Sequence, residues 1–263
     1  MNSIYTALAE LANSNESAAL CTVIKSEGST PRHVGSKMLV HPDGKVIGTV
    51  GGGELESRVI NAALESLKSG AAQNLSYTMA DPSRGDPGVC GGTVEVFVEP
   101  ILPPATIVVI GGGHVGKAVV HLAKWLGFRV AVSDDREEFC NPESVPGADA
   151  YYPVPMAELP NHLSVTRQSY LVVTSRGSGI DAAGLPPLLE SDAAYIGVIG
   201  SKRRWLTTVR ALKEKGISEE RLARVHSPMG IELNAETPEE IAVSIMAEIL
   251  ILHDKGTGKM MKD

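Results

Sequence analysis

The spacing of apolar residues divides this chain into two stretches with different rhythms. The first opens with an amphipathic helix in MNSIYTALAELANSNE. AALCTVIKSEG then alternates apolar and polar positions, the period of a half-buried strand. SKMLVHPDGKVIGTV reads as a hairpin turning at Pro42, Asp43 and Gly44. In ELESRVINAALESLKSG the period lengthens to that of a helix. Leu55, Val59, Ala63 and Leu67 share one face, and Gly70 supplies a C-terminal stop. AAQNLSYTM and GTVEVFVEPI predict two further strands. The proline-rich EPILPPAT then interrupts the pattern and marks the boundary between a small α/β unit, residues 1–101, and a second unit, residues 106–263.

Behind that boundary short apolar runs alternate with helical stretches. Strands are expected at Ile107–Gly111, Arg129–Asp134, Ala150–Val154, Tyr170–Ser175 and Ala194–Gly200. Such alternation predicts a parallel, doubly wound sheet with helices on both faces, a Rossmann-like α/β fold. The last helix is announced by Thr237-Pro238-Glu239-Glu240: Thr at the N-cap, Pro at the first helical position, and Glu three residues after the cap.

The first strand of this unit runs into Gly111-Gly112-Gly113-His114-Val115-Gly116, a G-x-G-x-x-G turn. Gly111 permits the tight turn, Gly113 the approach of backbone to a pyrophosphate, and Gly116 close packing of the next helix. That helix, expected over residues 115–126, presents its N-terminal amides to the phosphates, with His114 inside the loop. Asp134 follows at close to the roughly 20-residue interval expected for a carboxylate on ribose hydroxyls. Its charge disfavours a 2′-phosphate, so NAD or a related nucleotide is expected, although nearby Arg136 leaves NADP open. A nucleotide-sized fold without its ligand is the competing reading.

Composition narrows the classes. Among 263 residues, 43% are hydrophobic, 21% charged and only 4% aromatic, so aliphatic side chains must build the cores of a soluble globular protein. A net charge of −7 argues against a nucleic-acid surface. No apolar run approaches a membrane span, and the opening residues have no basic flank ahead of their apolar positions, so neither a membrane anchor nor a signal peptide is expected. Cys21, Cys90 and Cys140 show no C-x-x-C spacing and leave one thiol unpaired in any scheme, which fits a cytoplasmic location. No histidine pair has metal-ligand spacing.

Three glycine-rich stretches in the first unit carry candidate chemistry. EGSTPRHVGSKM holds Arg32, His33 and Lys37. GTVGGGELE places Gly51, Gly52 and Gly53 ahead of a helix, where their amides suit an anion. GDPGVCGG flanks Cys90 with glycines, where amides would favour thiolate, the form that binds metal or sulfur. Each also has a bland reading: turn glycines, solvated cations, and a small residue tolerated in a tight loop. Cys21 is expected in the core, and Cys140, after DDREEF, is expected in an exposed polar loop. In the second unit SRGSGID and GSKRR close the fourth and fifth strands. Ser201, Lys202, Arg203 and Arg204 there either clamp phosphate or start a solvated helix. His226, in RVHSPMG, either faces the ligand crevice or serves as a structural histidine.

Taken together, GSTPRHVGSKMLV, GTVGGGELE, VCGGTVEVFVEP, GGGHVGKAVVHLAKWLGFRVAVSDDRE, YIGVIGSKRR and RVHSPMGIELNAETPEEIAVSIMAEI resemble the xanthine dehydrogenase accessory factor family (XdhC/CoxI). The resemblance covers nearly the whole chain in the family's order. It implies a small N-terminal domain followed by a Rossmann domain, and a cofactor-binding chaperone rather than a catalyst. Such a protein binds the molybdopterin (molybdenum) cofactor transiently, aids its sulfuration, and inserts it into an apo molybdenum hydroxylase of the xanthine or CO dehydrogenase type. It implies a sulfur donor such as a cysteine desulfurase as a second partner, and leaves room for a homodimer. The family's C-G-G cysteine corresponds to Cys90, which becomes the candidate catalytic residue, and its basic loop to Gly28–Arg32. Ser178 stands where members often carry histidine in a T-R-G-H-x-x-D pattern, while Asp181 matches.

An NAD(P)-dependent oxidoreductase is the alternative. It needs a proton-transfer residue near the nicotinamide, for which only His226 and Lys202 offer themselves.

Overall fold

The computed structural model describes residues 3–13, 16–79 and 91–262, the side chains of residues 12 and 13 excepted. Cys90 lies outside the described residues. The chain divides into two compact units, residues 1–103 and 104–263.

In the first unit α1 (Ile4–Asn13) precedes β1 (Ala18–Glu27), β2 (Lys37–Val40) and β3 (Val46–Gly48). Helix α2 (Gly53–Ser69), β4 (Gln73–Thr78) and β5 (Thr93–Ile101) follow. Among the described residues the strands form one antiparallel sheet, ordered β3-β2-β1-β5-β4. Period-two alternation sorts its side chains. Ala19, Cys21 and Val23 of β1 join Val94, Val96 and Val98 of β5 against Leu55, Val59 and Ala63 of α2. Ala18 and Leu39 point the other way, onto Ala7 and Leu11 of α1. Gly70 ends α2 in the left-handed region, φ 69°, as its sequence position predicts. Cys21 is fully buried in this core, and burial pushes its thiol up to about 12.

The second unit contains β6 (Thr106–Ile110), α3 (His114–Trp125), β7 (Arg129–Ser133), β8 (Ala150–Tyr152) and β9 (Ser169–Val173). Helix α4 (Ser178–Leu189), β10 (Tyr195–Val198), α5 (Lys202–Glu214), α6 (Glu219–Leu222), β11 (Val225–His226) and α7 (Pro238–His253) complete it. The sheet is parallel, ordered β11-β10-β9-β6-β7-β8. This is the doubly wound Rossmann order, in which the chain reverses direction across the sheet between β6 and β9. Strands β6 and β9 are buried along their whole length, as parallel strands covered on both faces must be. One core lies on the α3 and α7 side, the other on the α4 and α5 side.

Thr237 caps α7 in a complete capping box with Glu240 and with Pro238 at the first position. Two expectations change. The strands end one or two residues early, because the final positions turn into the loops that line the crevice. Cys140 is buried: a short 3-10 turn, Glu137–Phe139, folds back over β7 and sets the Cys140 Sγ 3.4 Å from the Val132 carbonyl oxygen.

Candidate functional site

The G-x-G-x-x-G turn leaves β6 with Gly111 at φ 117°, a conformation that L side chains rarely adopt. A Cβ there would also lie 2.6 Å from the Thr174 carbonyl oxygen, while the Thr174 hydroxyl donates to the Gly111 carbonyl at 2.7 Å. A Cβ at Gly116 would overlap the Gly111 carbonyl, so helix and strand meet at that point. Gly113 faces open space and caps α3 without any side-chain hydrogen bond. The Gly177 N-cap of α4 is likewise without a side-chain cap, whereas Ser201, Ser218 and Thr237 cap α5, α6 and α7. The two helices that follow the reversal strands thus present uncapped amides at the C-terminal edge of the sheet. His114, the first residue of α3, is exposed.

Beside this turn lies a cavity of about 300 Å³. Ile110, Val154, Pro155, Met156 and Ile180 give it apolar walls, and Ser175, Arg176, Asp135 and Arg136 add polar ones. Arg176 reaches from the loop after β9 to both carboxylate oxygens of Asp135, at 2.8 and 2.9 Å, in the loop after β7. The loops on either side of β6 are thereby tied together.

Asp134 stands at the end of β7 as expected, but its carboxylate is already engaged. One oxygen accepts from the Arg136 amide at 3.1 Å and from Arg136 Nε at 2.9 Å. The other accepts from the Gly112 amide at 2.9 Å and from Arg136 Nη2 at 3.0 Å. Burial alone would raise this carboxyl, which is 5% exposed; hydrogen bonds from Arg136 and the Gly112 amide outweigh it and hold the carboxyl below the usual range. The carboxylate expected to take ribose hydroxyls thus has four donors from its own chain. Gly112, a position left free by the fingerprint, is also fixed: a Cβ there would overlap the Phe139 carbonyl oxygen.

The basic run after β10 separates into three roles. The Ser201 hydroxyl accepts from the Arg204 amide at 3.3 Å and is the α5 cap rather than a free ligand group. Lys202 is exposed at the start of that helix. Arg204 turns inward to Asp181, with Nε at 3.1 Å and Nη2 at 2.8 Å, and to the Ser175 hydroxyl at 2.7 Å. Asp181 is fully buried and also takes a short hydrogen bond from the Ser175 hydroxyl. The network pins the loop after β9 to the starts of α4 and α5. His226 is held in place through Nδ1, 2.8 Å from Glu248 of α7, and lies against the Tyr195 ring.

In the first unit the glycine-rich stretches pack on one another. A Cβ on Gly28 would meet Gly92 Cα at 3.1 Å and the Gly91 carbonyl at 3.2 Å. A Cβ on Gly51 would lie 2.7 Å from Pro31 Cγ. Two backbone hydrogen bonds, Met79 N to Gly92 O and Gly91 N to Met79 O, join the residues on either side of 80–90. The amide nest differs from expectation. The Glu56 carboxylate accepts from the Val50 amide at 3.3 Å, from the Gly52 amide at 3.1 Å, and from the Thr49 hydroxyl in a short hydrogen bond. The Gly51 amide donates to Thr49 Oγ1 at 3.1 Å. Of the three glycine amides in this turn, that of Gly52 is thus engaged by Glu56 and that of Gly51 by Thr49. Among the described residues Arg32 is exposed and has no acidic partner, and Lys37 donates to Thr22 Oγ1 at 3.4 Å. Among the described residues no cluster of three His, Cys, Asp or Glu side chains could hold a metal ion, and no helix is long and apolar enough to cross a membrane.

An antiparallel α/β unit followed by a doubly wound unit with a glycine-turn crevice defines a two-part, Rossmann-containing protein. The family model described as the XdhC Rossmann domain matches residues 107–249, and that of the XdhC and CoxI family matches residues 11–78. The chain belongs to the XdhC and CoxI family. It is 35% identical to the uncharacterized Escherichia coli protein YqeB over 98% of this chain, but spans only 48% of that relative's length. It is 24% identical to a Bacillus subtilis protein named as a probable xanthine dehydrogenase subunit, over 95% of this chain and 97% of that one. It is 21% identical to the Escherichia coli molybdenum cofactor insertion chaperone PaoD, over 90% of this chain and 83% of that one. A crystal structure described as a Bacillus halodurans xanthine dehydrogenase shares the fold, with TM-score 0.51, 22% identity and 95% of each chain covered.

Proposed function

We propose that this protein is an accessory factor for the maturation of molybdenum hydroxylases. Its cargo is a molybdopterin-type cofactor, which it holds, helps to sulfurate and passes to the apoenzyme. Relatives named for xanthine dehydrogenase and for molybdenum cofactor insertion support this reading. The structural observation that carries it is the packing of Gly28 on Gly91 and Gly92, and of Pro31 on Gly51. These contacts gather the basic stretch that bears Arg32 with Gly91, the chain neighbour of Cys90. A pterin phosphate needs cationic or amide contacts, and Arg32 is an exposed guanidinium without an acidic partner among the described residues. Molybdenum needs soft ligands, and a Cys90 thiolate would be one. In the second unit the uncapped start of α3 suits the phosphates of a nucleotide, through Gly111, Gly113, His114 and Gly116.

The oxidoreductase reading has less support. Asp134 is filled by Arg136, and the Nδ1 of His226 is committed to Glu248.

Protein purified from its native host should carry molybdenum and a fluorescent pterin oxidation product, measurable by elemental analysis and chromatography. Replacing Cys90 with Ser is near-isosteric and should leave the melting temperature within a few degrees, about 1 kcal/mol. The Cys90→Ser protein should lose bound cofactor and fail to activate the apo hydroxylase. Normal cofactor content and normal activation in that variant would make the thiol structural. Steady oxidation of NADH with a small carbonyl substrate would favour the oxidoreductase.

A further inference from the structure

The carboxylate of Asp134, at the end of β7, is filled from within the chain. A carboxylate offers about four lone-pair positions, two on each oxygen. In Asp134 all four are occupied, by the Gly112 amide, the Arg136 amide, and the Nε and Nη2 of Arg136. Arg136 is no loosely tethered surface group. Its guanidinium makes a two-pronged pair with an acid whose side chain is 3% exposed, and its Cζ lies 3.8 Å from the centre of the Phe139 ring. Phe139 is itself placed by the contact of its carbonyl with Gly112. Turn, acid, guanidinium and ring therefore hold one another.

We infer that Arg136 is a specificity-determining residue that excludes the ribose diol from Asp134, so that the crevice selects nucleotides by base and phosphate and is indifferent to the 2′-hydroxyl. This rests on the reading of the crevice as a nucleotide site, and deepens it. The two bonds that Arg136 makes through its side chain fall one on each carboxylate oxygen. Those are the two positions that the two hydroxyls of a vicinal diol would need. Removing the guanidinium frees one acceptor position on each oxygen and leaves both backbone amides in place. The base keeps its own wall: Ile110, Met156, Ile180 and Ala183 line the neighbouring cavity.

Calorimetric titration with ADP, GDP and CDP, each beside its 2′-deoxy counterpart, tests the inference on the full chain. The wild-type protein should bind ribo and deoxy forms of its preferred base within about twofold of each other. Arg136→Ala should bind the ribo form about tenfold more tightly than wild type and prefer it over the deoxy form, since a hydroxyl-to-carboxylate hydrogen bond is of that order. A second variant, Phe139→Leu, keeps the ion pair but removes the ring that steadies it, and should shift the preference part of the way. Wild-type protein that already discriminates the 2′-hydroxyl as strongly as Arg136→Ala would overturn the role of Arg136 and leave the nucleotide reading intact. Absence of binding by all three folded proteins to every nucleotide would overturn both.

Discussion

At Gly112 an added methyl group would overlap the Phe139 carbonyl oxygen, and at Gly116 the Gly111 carbonyl oxygen, whereas at Gly113 it would meet nothing within 4 Å. Three residues of one turn thus make opposite predictions. Gly112→Ala and Gly116→Ala push backbone against backbone, which cannot be relieved by turning a side chain. Each should cost about 2–4 kcal/mol in denaturant unfolding. Gly113→Ala, with φ −71°, should cost about 1 kcal/mol or less as an altered N-cap, yet weaken nucleotide binding by intruding where phosphate approaches. Equal destabilisation by all three would contradict the geometry. The fingerprint glycines 111, 113 and 116 were legible because their spacing carries the reason for each. Gly112, Arg136 and Glu56 were not. The Phe139 carbonyl reaches Gly112 only because a loop returns, whereas Arg136 meets Asp134, and Glu56 the Val50 and Gly52 amides, within single turns whose geometry no apolar period encodes. Cys140 looked exposed for the same reason: the acidic residues before it say polar loop, and only the folded-back turn buries it.

Among the elements, α7 packs its Ala242, Ile245, Met246 and Ile249 into one core, and the carboxylate of Glu248 adds a polar clasp to β10 and β11. Glu248 accepts from the Tyr195 hydroxyl at 2.6 Å, His226 Nδ1 at 2.8 Å and the Gly230 amide at 2.6 Å. Burial would raise its carboxyl, but hydrogen bonds from His226, Tyr195 and Gly230 outweigh it and keep the group below its ordinary value. Because the folded value is depressed, the stability that this charge adds is complete above the unfolded carboxyl value, about pH 4.3, and is lost as pH falls through the folded value. Glu248→Ala should cost about 2–4 kcal/mol, since Tyr195 is 1% exposed and its hydroxyl would lose its acceptor. The variant should also show a flatter acid limb in a plot of unfolding free energy against pH. An unchanged acid limb would assign the acid sensitivity to other carboxyls, Asp134 first among them. The helix itself was readable from Thr237 to Glu240, since a capping box is written in consecutive residues. Its clasp was not, because Tyr195 and Glu248 lie 53 positions apart.

For the whole molecule, the period of the apolar positions is enough to expect a small α/β unit ahead of a parallel, doubly wound one, while the antiparallel pairing of the whole first sheet is read only from the structure. Strand order is a different matter: the glycine fingerprint implies it only by resemblance, while the pairing of β6 with both β7 and β9 displays it. The second unit holds two apolar cores made of its own residues, from Ala105 to Leu250. A chain of this length buries enough surface to fold by itself. Residues 104–263, expressed alone, should therefore unfold in one cooperative transition and retain the nucleotide affinity of the full chain within a few-fold. They lack Cys90, Arg32 and the glycine-rich stretches of the first unit, so they should carry no molybdenum or pterin and should not activate the apo hydroxylase. Calorimetry, elemental analysis and a client activation assay on the same preparation read all three. If the fragment folds and binds nucleotide but also delivers cofactor, the cargo site belongs to the Rossmann unit and the role proposed for Cys90 and Arg32 is wrong. If it folds but loses nucleotide, the crevice needs the first unit to be complete.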